Sequence, residues 1–321
     1  MSTDRARGVV IGTRGSELAM FQARQVAWTL QRNSIDLSVK IRKITTSGDK
    51  ILDSPLARIG DKGLFVKEIE TALLEGEIDL AVHSAKDLPT VLPDGLIVGA
   101  YGSREDPRDV FVGSGRSLRG IPAGGRVGTS SLRRRSQLLS LRPDLEIVDI
   151  RGNVDTRIRK IAEQGLNGTI LAAAGVKRLQ KEDQIAFHFS FDELLPAVGQ
   201  GVIAVEVRRD DNPVHQLIGV HNDEDAAACV RAERALMRWL EGGCQVPIGA
   251  HARTQGGALL LTAFLGSLDG ASAVRDSIEG PVREAERLGE ALAERMHGSG
   301  GAEILAAVRE AHDGEGSGYW T

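Results

Sequence analysis

What most constrains this chain is a pattern met twice along it: a short apolar run, a stripe of apolar residues at helical spacing, then another apolar run. Gly8–Thr13 is almost wholly apolar, and the next segment places Ala19, Ala23, Val26 and Leu30 on one helical face. Leu37–Ile44 predicts a second strand. A long polar loop from Thr45 to Gly63 follows, then a helix with Phe65, Ile69, Ala72 and Leu73 inward, then strands at Ile78–Val82 and Leu96–Tyr101. Between 126 and 208 the scheme returns: strand Arg126–Thr129, helix Ser131–Leu141, strand Leu145–Ile150, helix Val154–Gln164, strand Thr169–Ala174, and Val202–Val207 last. Strands alternating with helices predict α/β halves built on βαβ units, with Arg104-Glu-Asp-Pro-Arg-Asp109 as the hinge between them. From about His221 the pattern changes to a helix over Asp223–Leu240, a hairpin turning at Gln255-Gly-Gly257, a further strand and two amphipathic helices. That reads as a separate α+β domain, and the Gly/Ser-rich tail from Gly314 as disordered.

Charge and composition exclude several functions. The chain of 321 residues has a formal net charge of −4 and only 4% aromatic residues, which speaks against nucleic-acid binding and base stacking. No apolar run reaches the ~18 residues of a membrane span, and the polar N-terminus lacks a secretory apolar region. Two cysteines, Cys229 and Cys244, make no disulfide framework. A cytoplasmic, monomeric protein is the expectation. Neither a phosphate-binding loop nor a dinucleotide fingerprint is present, and no His, Cys or carboxylate spacing suits a metal.

The charge is unevenly spread. Residues 126–159 hold eight arginines against four acids, a local +4 inside a negative chain. Arginine's planar fork suits bidentate binding of carboxylate or phosphate. Ligands of open α/β sheets bind beyond the carboxyl ends of the strands. Those ends read Thr13-Arg14-Gly-Ser16, His83-Ser84-Ala-Lys86-Asp87, Thr129-Ser-Ser-Leu-Arg133-Arg134 and Arg151-Gly-Asn153, most with a cation and several opening a helix that also favours anions. An anion site in a cleft between two lobes is the better reading than a solvated charged face. His83 alone at a strand end reads as structural, and Gly199-Gln-Gly201 as a tight turn. Asp87 is the odd member, a carboxylate among cations; it either caps its own turn, pairs with Lys86, or stabilises positive charge that develops in a reaction.

Cys244 stands in Glu241-Gly-Gly-Cys-Gln-Val-Pro-Ile-Gly249, where two glycines loosen the chain and Pro247 stiffens it. Such a loop offers its thiol, whereas Cys229 falls on the buried stripe of the preceding helix. A helix C-terminus disfavours a thiolate, so the local electrostatics do not mark Cys244 as a fast nucleophile. No His and Asn/Asp partners for a thiol hydrolase present themselves.

Together these motifs resemble the porphobilinogen deaminase family. The likeness covers residues 8–250 and rests on Ile11-Gly-Thr-Arg-Gly-Ser16, Lys62-Gly-Leu-Phe-Val-Lys-Glu68, His83-Ser-Ala-Lys-Asp-Leu-Pro89, Arg104–Asp109, Val127-Gly-Thr-Ser-Ser-Leu-Arg-Arg134, the Arg151-Gly-Asn153 turn, Leu194-Leu-Pro-Ala-Val-Gly-Gln-Gly201 and the Cys244 loop. The resemblance implies two periplasmic-binding-protein-like lobes flanking a cleft and a smaller C-terminal α+β domain, divided as 1–103 with 201–219, then 107–198, then 220–321. It implies a dipyrromethane cofactor held covalently by Cys244. It also implies stepwise head-to-tail joining of four porphobilinogen molecules with loss of ammonia, then hydrolytic release of hydroxymethylbilane in tetrapyrrole biosynthesis. Asp87 matches the catalytic carboxylate. Arg14, Ser16, Lys86, Arg133, Arg134, Arg151, Arg157 and Arg178 match positions that bind acetate and propionate groups. Thr129, Ser130, Ser131 and Asn153 add hydrogen bonds, and Gln22, Lys62, Ser84, Gln200 and Gly201 complete the expected set. The loop Thr45–Gly63, with Lys50 and Lys62, reads as a cationic lid. Asp61 stands where many relatives have glycine, and Arg135 receives no role. The rival reading is a non-catalytic two-lobed anion-binding protein or effector domain, which leaves Asp87 and the Cys244 loop without a purpose.

Overall fold

The computed structural model describes residues 8–34, 36–50, 66–240 and 246–316, with backbone alone at 49, 50 and 312–316. In chain order the first elements are β1 (Gly8–Arg14), α1 (Glu17–Asn33), β2 (Ser38–Ile44), α2 (Ser47–Lys50), α3 (Lys67–Leu74), β3 (Leu80–Ser84) and β4 (Leu96–Tyr101). Next come β5 (Asp109–Gly113), β6 (Arg126–Gly128), α4 (Leu132–Leu141), β7 (Glu146–Val148), α5 (Val154–Glu163), β8 (Gly168–Ala172), α6 (Ala173–Arg178) and β9 (Phe187–His188). The last are β10 (Ile203–Arg208), α7 (Asn212–Ile218), α8 (Glu224–Trp239), β11 (Ile248–Gln255), β12 (Ala258–Gly266), β13 (Ala273–Pro281), α9 (Ala285–Met296) and α10 (Ala302–Gly316). Two units emerge: one takes the described residues up to 105 together with 202–227, the other 106–201 and those from 228 onward.

The first unit is a five-stranded sheet of order β2-β1-β3-β10-β4. β1 runs parallel to β2 and β3, while β10 is antiparallel to β3 and β4. One face packs on α1 through Val9, Ile11, Leu80, Val82 and Val205, and the other on α3 through Ile69, Leu73, Ile78 and Ala81. Burial on both faces explains why β1 and β3 read as near-continuous apolar runs. β3 starts two residues later than expected. Asp79 explains this: its amide donates to Val10 O and its carboxylate accepts from Val10 N–H, so the chain is tied to β1 before regular pairing begins.

The second unit repeats the scheme in the order β7-β6-β8-β5-β9, again with one antiparallel strand, β5, between the parallel set and the edge. The units divide between 105 and 106, within the stretch Arg104–Asp109 expected to join them, and its last residue, Asp109, opens β5 and is fully buried. The same unit holds a three-stranded antiparallel sheet, β11-β12-β13. Its first hairpin turns on Gly256 and Gly257, both at positive φ (58° and 81°), as a two-residue type I′ turn requires. This sheet has its own core with α8, α9 and α10, built from Leu236, Leu261, Leu265, Leu292 and Met296. α8 and α9 approach so closely that a Cβ at Gly289 would strike the Ala232 carbonyl. Cys229 lies in this core at 5% exposure, as its helical spacing predicts. α10 continues past Gly314 to Gly316, and the rest of the expected tail lies outside the described residues.

Candidate active site

In the first unit the expected residues gather at the carboxyl ends of β1 and β3. Ser16 caps α1, its Oγ accepting from Ala19 N–H, which leaves Arg14 just before the helix start at the end of β1. β3 ends in a single 3-10 turn, Ala85–Asp87. Three contacts fix that turn. On the α1 face Gln22 Nε2 donates to Ser84 Oγ at 2.8 Å. In the plane of the sheet, Ala85 N–H donates to Val202 O. On the α3 face His83 Nε2 lies 2.9 Å from Glu206 Oε2. Gln22 is 2% exposed, so its amide holds Ser84 and is not offered to a ligand. Asp87 itself is exposed, and its carboxylate makes no hydrogen bond or ion pair with any described residue. It neither caps its turn nor pairs with Lys86.

The second unit gathers Thr129, Ser130, Ser131, Arg133, Arg134, Arg151, Asn153, Arg157, Arg178, Gln200 and Gly201, with a division of labour that the spacing did not reveal. Ser130 Oγ both donates to Ile150 O and accepts from Ile150 N–H, closing β6 onto the chain beyond β7. Thr129 Oγ1 accepts from Ser131 N–H. Ser131 caps α4, accepting from Arg134 N–H, and Asn153 caps α5, accepting from Thr156 N–H at 2.9 Å. The Nδ2 group of Asn153 makes no hydrogen bond with a described residue. Arg157 Nε donates to Gly152 O, where Gly152 stands at φ 118°, and Arg178 Nη2 donates to Gly201 O. Burial lowers the pKa of Arg151 against the opposing pull of Asp149.

Arg133 and Arg134 depart from the expectation of two side chains open to a ligand. Both are buried, at 6% and 5% exposure. Arg133 Nη1 donates to Asp109 Oδ2 (2.8 Å) and Leu195 O; Arg134 Nη2 donates to Asp109 Oδ1 (2.7 Å) and its Nη1 to Ile170 O. Gln200, 1% exposed, adds a third donor to Asp109 at 2.9 Å and another to Pro107 O. Burial would raise the Asp109 pKa, but the two guanidinium charges and their hydrogen bonds outweigh it and hold the carboxyl well below the usual range. The physical reason for the departure is this carboxylate, which turns the arginine heads inward. Asp109 is therefore the residue missed from sequence. It was legible only as the end of the Arg104–Asp109 motif and as an acid opening a short apolar run, Val110-Phe-Val112, neither of which announces a buried anchor. One donor survives the inward turn: Arg134 Nε is buried and makes no hydrogen bond with a described residue.

Cys244, Lys62, Asp61 and the loop expected to form a lid, apart from residues 45–50, lie outside the described residues. No group of three or more His, Cys, Asp or Glu among the described residues is placed to hold a metal ion. The donor set suits an acid-rich organic group instead: guanidinium groups, an Asn153 amide with an unused N–H, a buried orphan N–H on Arg134, and the first turns of α4 and α5. Dipyrromethane, with its acetate and propionate arms, is such a group, and the residues present fit it.

Comparison with known proteins gives the same family from independent parts of the chain. Residues 9–216 match the family described as "Porphobilinogen deaminase, dipyromethane cofactor binding domain", and residues 227–298 match "Porphobilinogen deaminase, C-terminal domain". The porphobilinogen deaminase of Geobacter sulfurreducens is 53% identical over 308 residues, covering 96% of this chain and 96% of that one. That of Chloroherpeton thalassium is 48% identical over 308 residues, covering 94% and 98%. Among solved structures, the Methionine Binding Protein, MetQ, aligns with 68% of this chain and 92% of its own at 13% identity and a TM-score of 0.44. With both family domains matched in order and about half of all positions shared with full-length relatives, the chain belongs to the porphobilinogen deaminase family.

Proposed function

We propose that this chain joins four porphobilinogen molecules head to tail, with loss of ammonia at each step, and releases hydroxymethylbilane by hydrolysis, with Asp87 as the catalytic residue. It is a transferase of tetrapyrrole biosynthesis. Its dipyrromethane cofactor, attached through Cys244, supplies when bound the terminal pyrrole carbon to which the first substrate ring is joined. Arg134 Nε, Asn153 Nδ2, the Ser131 hydroxyl and the guanidinium groups of Arg151, Arg157 and Arg178 hold carboxylate arms. Arg14, Lys86 and Ser16 do the same from the first unit. Thr129, Ser130, Gln22, Gln200 and Arg133 act behind them by fixing backbone and charge.

The observation that carries this reading is Asp87: exposed, without a partner among the described residues, and mounted on a turn held from three directions. A fixed charge whose only unmet interaction lies outward stabilises positive charge that develops on a substrate, here the cation left as ammonia departs. Because the carboxylate needs no reorganisation at that moment, its full interaction goes to the transition state. The test is ammonia release in a single turnover of holoenzyme. Asp87→Asn should keep the cofactor by intact mass and release ammonia on the order of 10²-fold more slowly, the scale of losing one preorganised electrostatic group. Release within a few fold of the unmodified protein sinks the assignment.

The division into 1–103 with 201–219, 107–198 and 220–321 belongs to this proposal, supported by the separate sheet and core of each part. So does a cytoplasmic monomer acting on a small molecule and not on nucleic acid. Its supports are the net charge of −4 and the fact that no helix among the described residues is long and apolar enough to cross a membrane. A single species of 34.4 kDa in light scattering is the check.

A further inference from the structure

Behind the Asp87 turn lies a cluster of titratable groups that the reaction as described does not use. In the pairing of β3 with β10, His83 stands opposite Ala204 and Glu206 opposite Ala81, so the imidazole and the carboxylate are diagonal neighbours on the face that α3 covers. His83 is 5% exposed and Glu206 fully buried. Their 2.9 Å contact is close but off the line of a hydrogen bond, and neither Glu206 oxygen has a hydrogen-bond partner among the described residues. Glu70, in the first turn of α3, completes the cluster at 6% exposure, and its Oε1 is likewise without a partner. Two carboxyl groups and one imidazole thus share an apolar space under β3, whose following turn carries Asp87 four residues after His83.

We propose that His83 and Glu206 are positioning residues for the Asp87 turn, and that Glu70 is the buried acid whose proton holds this pair in place; the proposal rests on the reading of Asp87 given above. With Glu70 protonated, Glu206 is the single carboxylate near the imidazole and the contact is stable. When Glu70 ionises, two like charges compete for one imidazole where water is excluded, and repulsion is relieved by displacing α3 or the end of β3. The second movement carries the turn with it. Among the described residues, nothing else facing Glu70 replaces the lost proton. β1 presents Val10 and Gly12 on this side and β3 presents Ala81, none of them charged. Arg208, farther along β10, uses Nη1 on the carbonyls of Leu73 and Ile78 and Nη2 on Asp211, with Asp79 at 3.7 Å. Burial first, and the Glu206 charge second, push the Glu70 pKa up to about 7 against the opposing pull of His83, so the ionisation falls inside the working pH range.

Holoenzyme of the unmodified protein and of Glu70→Gln, Glu206→Gln and His83→Gln tests this. In the unmodified protein kcat should fall on the order of tenfold as pH rises from 6 to 9, within the ~10²-fold that a 1 Å misplacement can cost, with KM little changed. Glu70→Gln should lose that limb. Glu206→Gln and His83→Gln should have lowered kcat at every pH and lack the limb as well. A second readout needs no activity. A carboxyl group raised from 4.5 to about 7 withdraws stability as pH climbs through that window, so the Tm of Glu70→Gln minus that of the unmodified protein should grow between pH 5 and 8. A Glu70→Gln profile parallel to the unmodified one overturns the proposal, as does a His83→Gln variant that shifts Tm alone. If either pair variant does not fold, Glu70→Gln decides. Failure here leaves Asp87→Asn slow in ammonia release, whereas failure of the Asp87 reading shows in that variant whatever Glu70 does.

Discussion

Two aspartates that look alike in the sequence do opposite work. Asp87 and Asp109 each follow or precede a strand in a polar stretch beside a basic residue. One ends up exposed with no partner among the described residues, the other fully buried with three donors. Sequence reasoning reached Asp87 because its neighbours are cations at strand ends. It passed over Asp109 because burial of a carboxylate depends on which arginines fold onto it, 24 and 25 residues away. The consequence is measurable. Asp109→Asn leaves Arg133 and Arg134 as adjacent buried cations with no counter-charge, which should cost about 3–5 kcal/mol, the penalty of breaking a buried ion pair from one side. The pH dependence has a definite sign. A carboxyl held below its ordinary pKa contributes stability that is complete above about pH 4 and lost as acid protonates it. Asp109→Asn should therefore melt far lower at pH 7, and the gap from the unmodified protein should narrow below pH 4. A gap constant with pH would mean that the carboxylate charge is not what holds the two arginines.

At the scale of elements, periodicity placed the strands and helices to which it gave bounds to within two residues, because apolar spacing is set by burial and burial is what the folds of both units demand. The failures are instructive. β5 escaped notice because its apolar run, Val110-Phe-Val112, is only three residues long, β9 has two residues and no pattern at all, and α2, α6 and α7, of four, six and seven residues, are too short to show a helical stripe. The cap residues carry a second lesson. Ser131 and Asn153 were legible as polar residues at strand ends, yet their acceptor atoms serve the first turns of α4 and α5. Capping and ligand binding can be separated at Asn153. Asn153→Ala removes the acceptor for Thr156 N–H and should lower stability by about 1 kcal/mol. Asn153→Asp keeps that acceptor and adds a charge that the helix N-terminus favours, but it replaces an N–H donor with a repulsive oxygen facing an acidic ligand. Its Tm should match or exceed that of the unmodified protein while KM for porphobilinogen rises several-fold. An unchanged KM would confine Asn153 to capping.

Across the whole molecule, the fold class was legible and the strand order was not. Both five-stranded sheets take an antiparallel strand at the place where the chain passes from one unit to the other, β5 directly after β4 and β10 after β9, and no local signal in either strand announces that orientation. The third sheet raises a different question, since its core contains one of the chain's two cysteines. Cys229 is packed among Ala232, Leu236 and Leu261 at 5% exposure, where a two-ring adduct has no room without opening the core. Cys244 follows α8 in a glycine-flanked segment, and the thioether is expected there. Intact mass of purified protein should show the added mass of two linked pyrroles in the unmodified chain and in Cys229→Ala, and none in Cys244→Ser. Because a group bound to the folded state alone adds stability, Cys244→Ser should also melt at a lower temperature than the loaded protein, whereas Cys229→Ala should lose only what a small buried side chain contributes to packing. Peptide mapping that finds the adduct on Cys229, or active protein with no adduct, would end the assignment of Cys244.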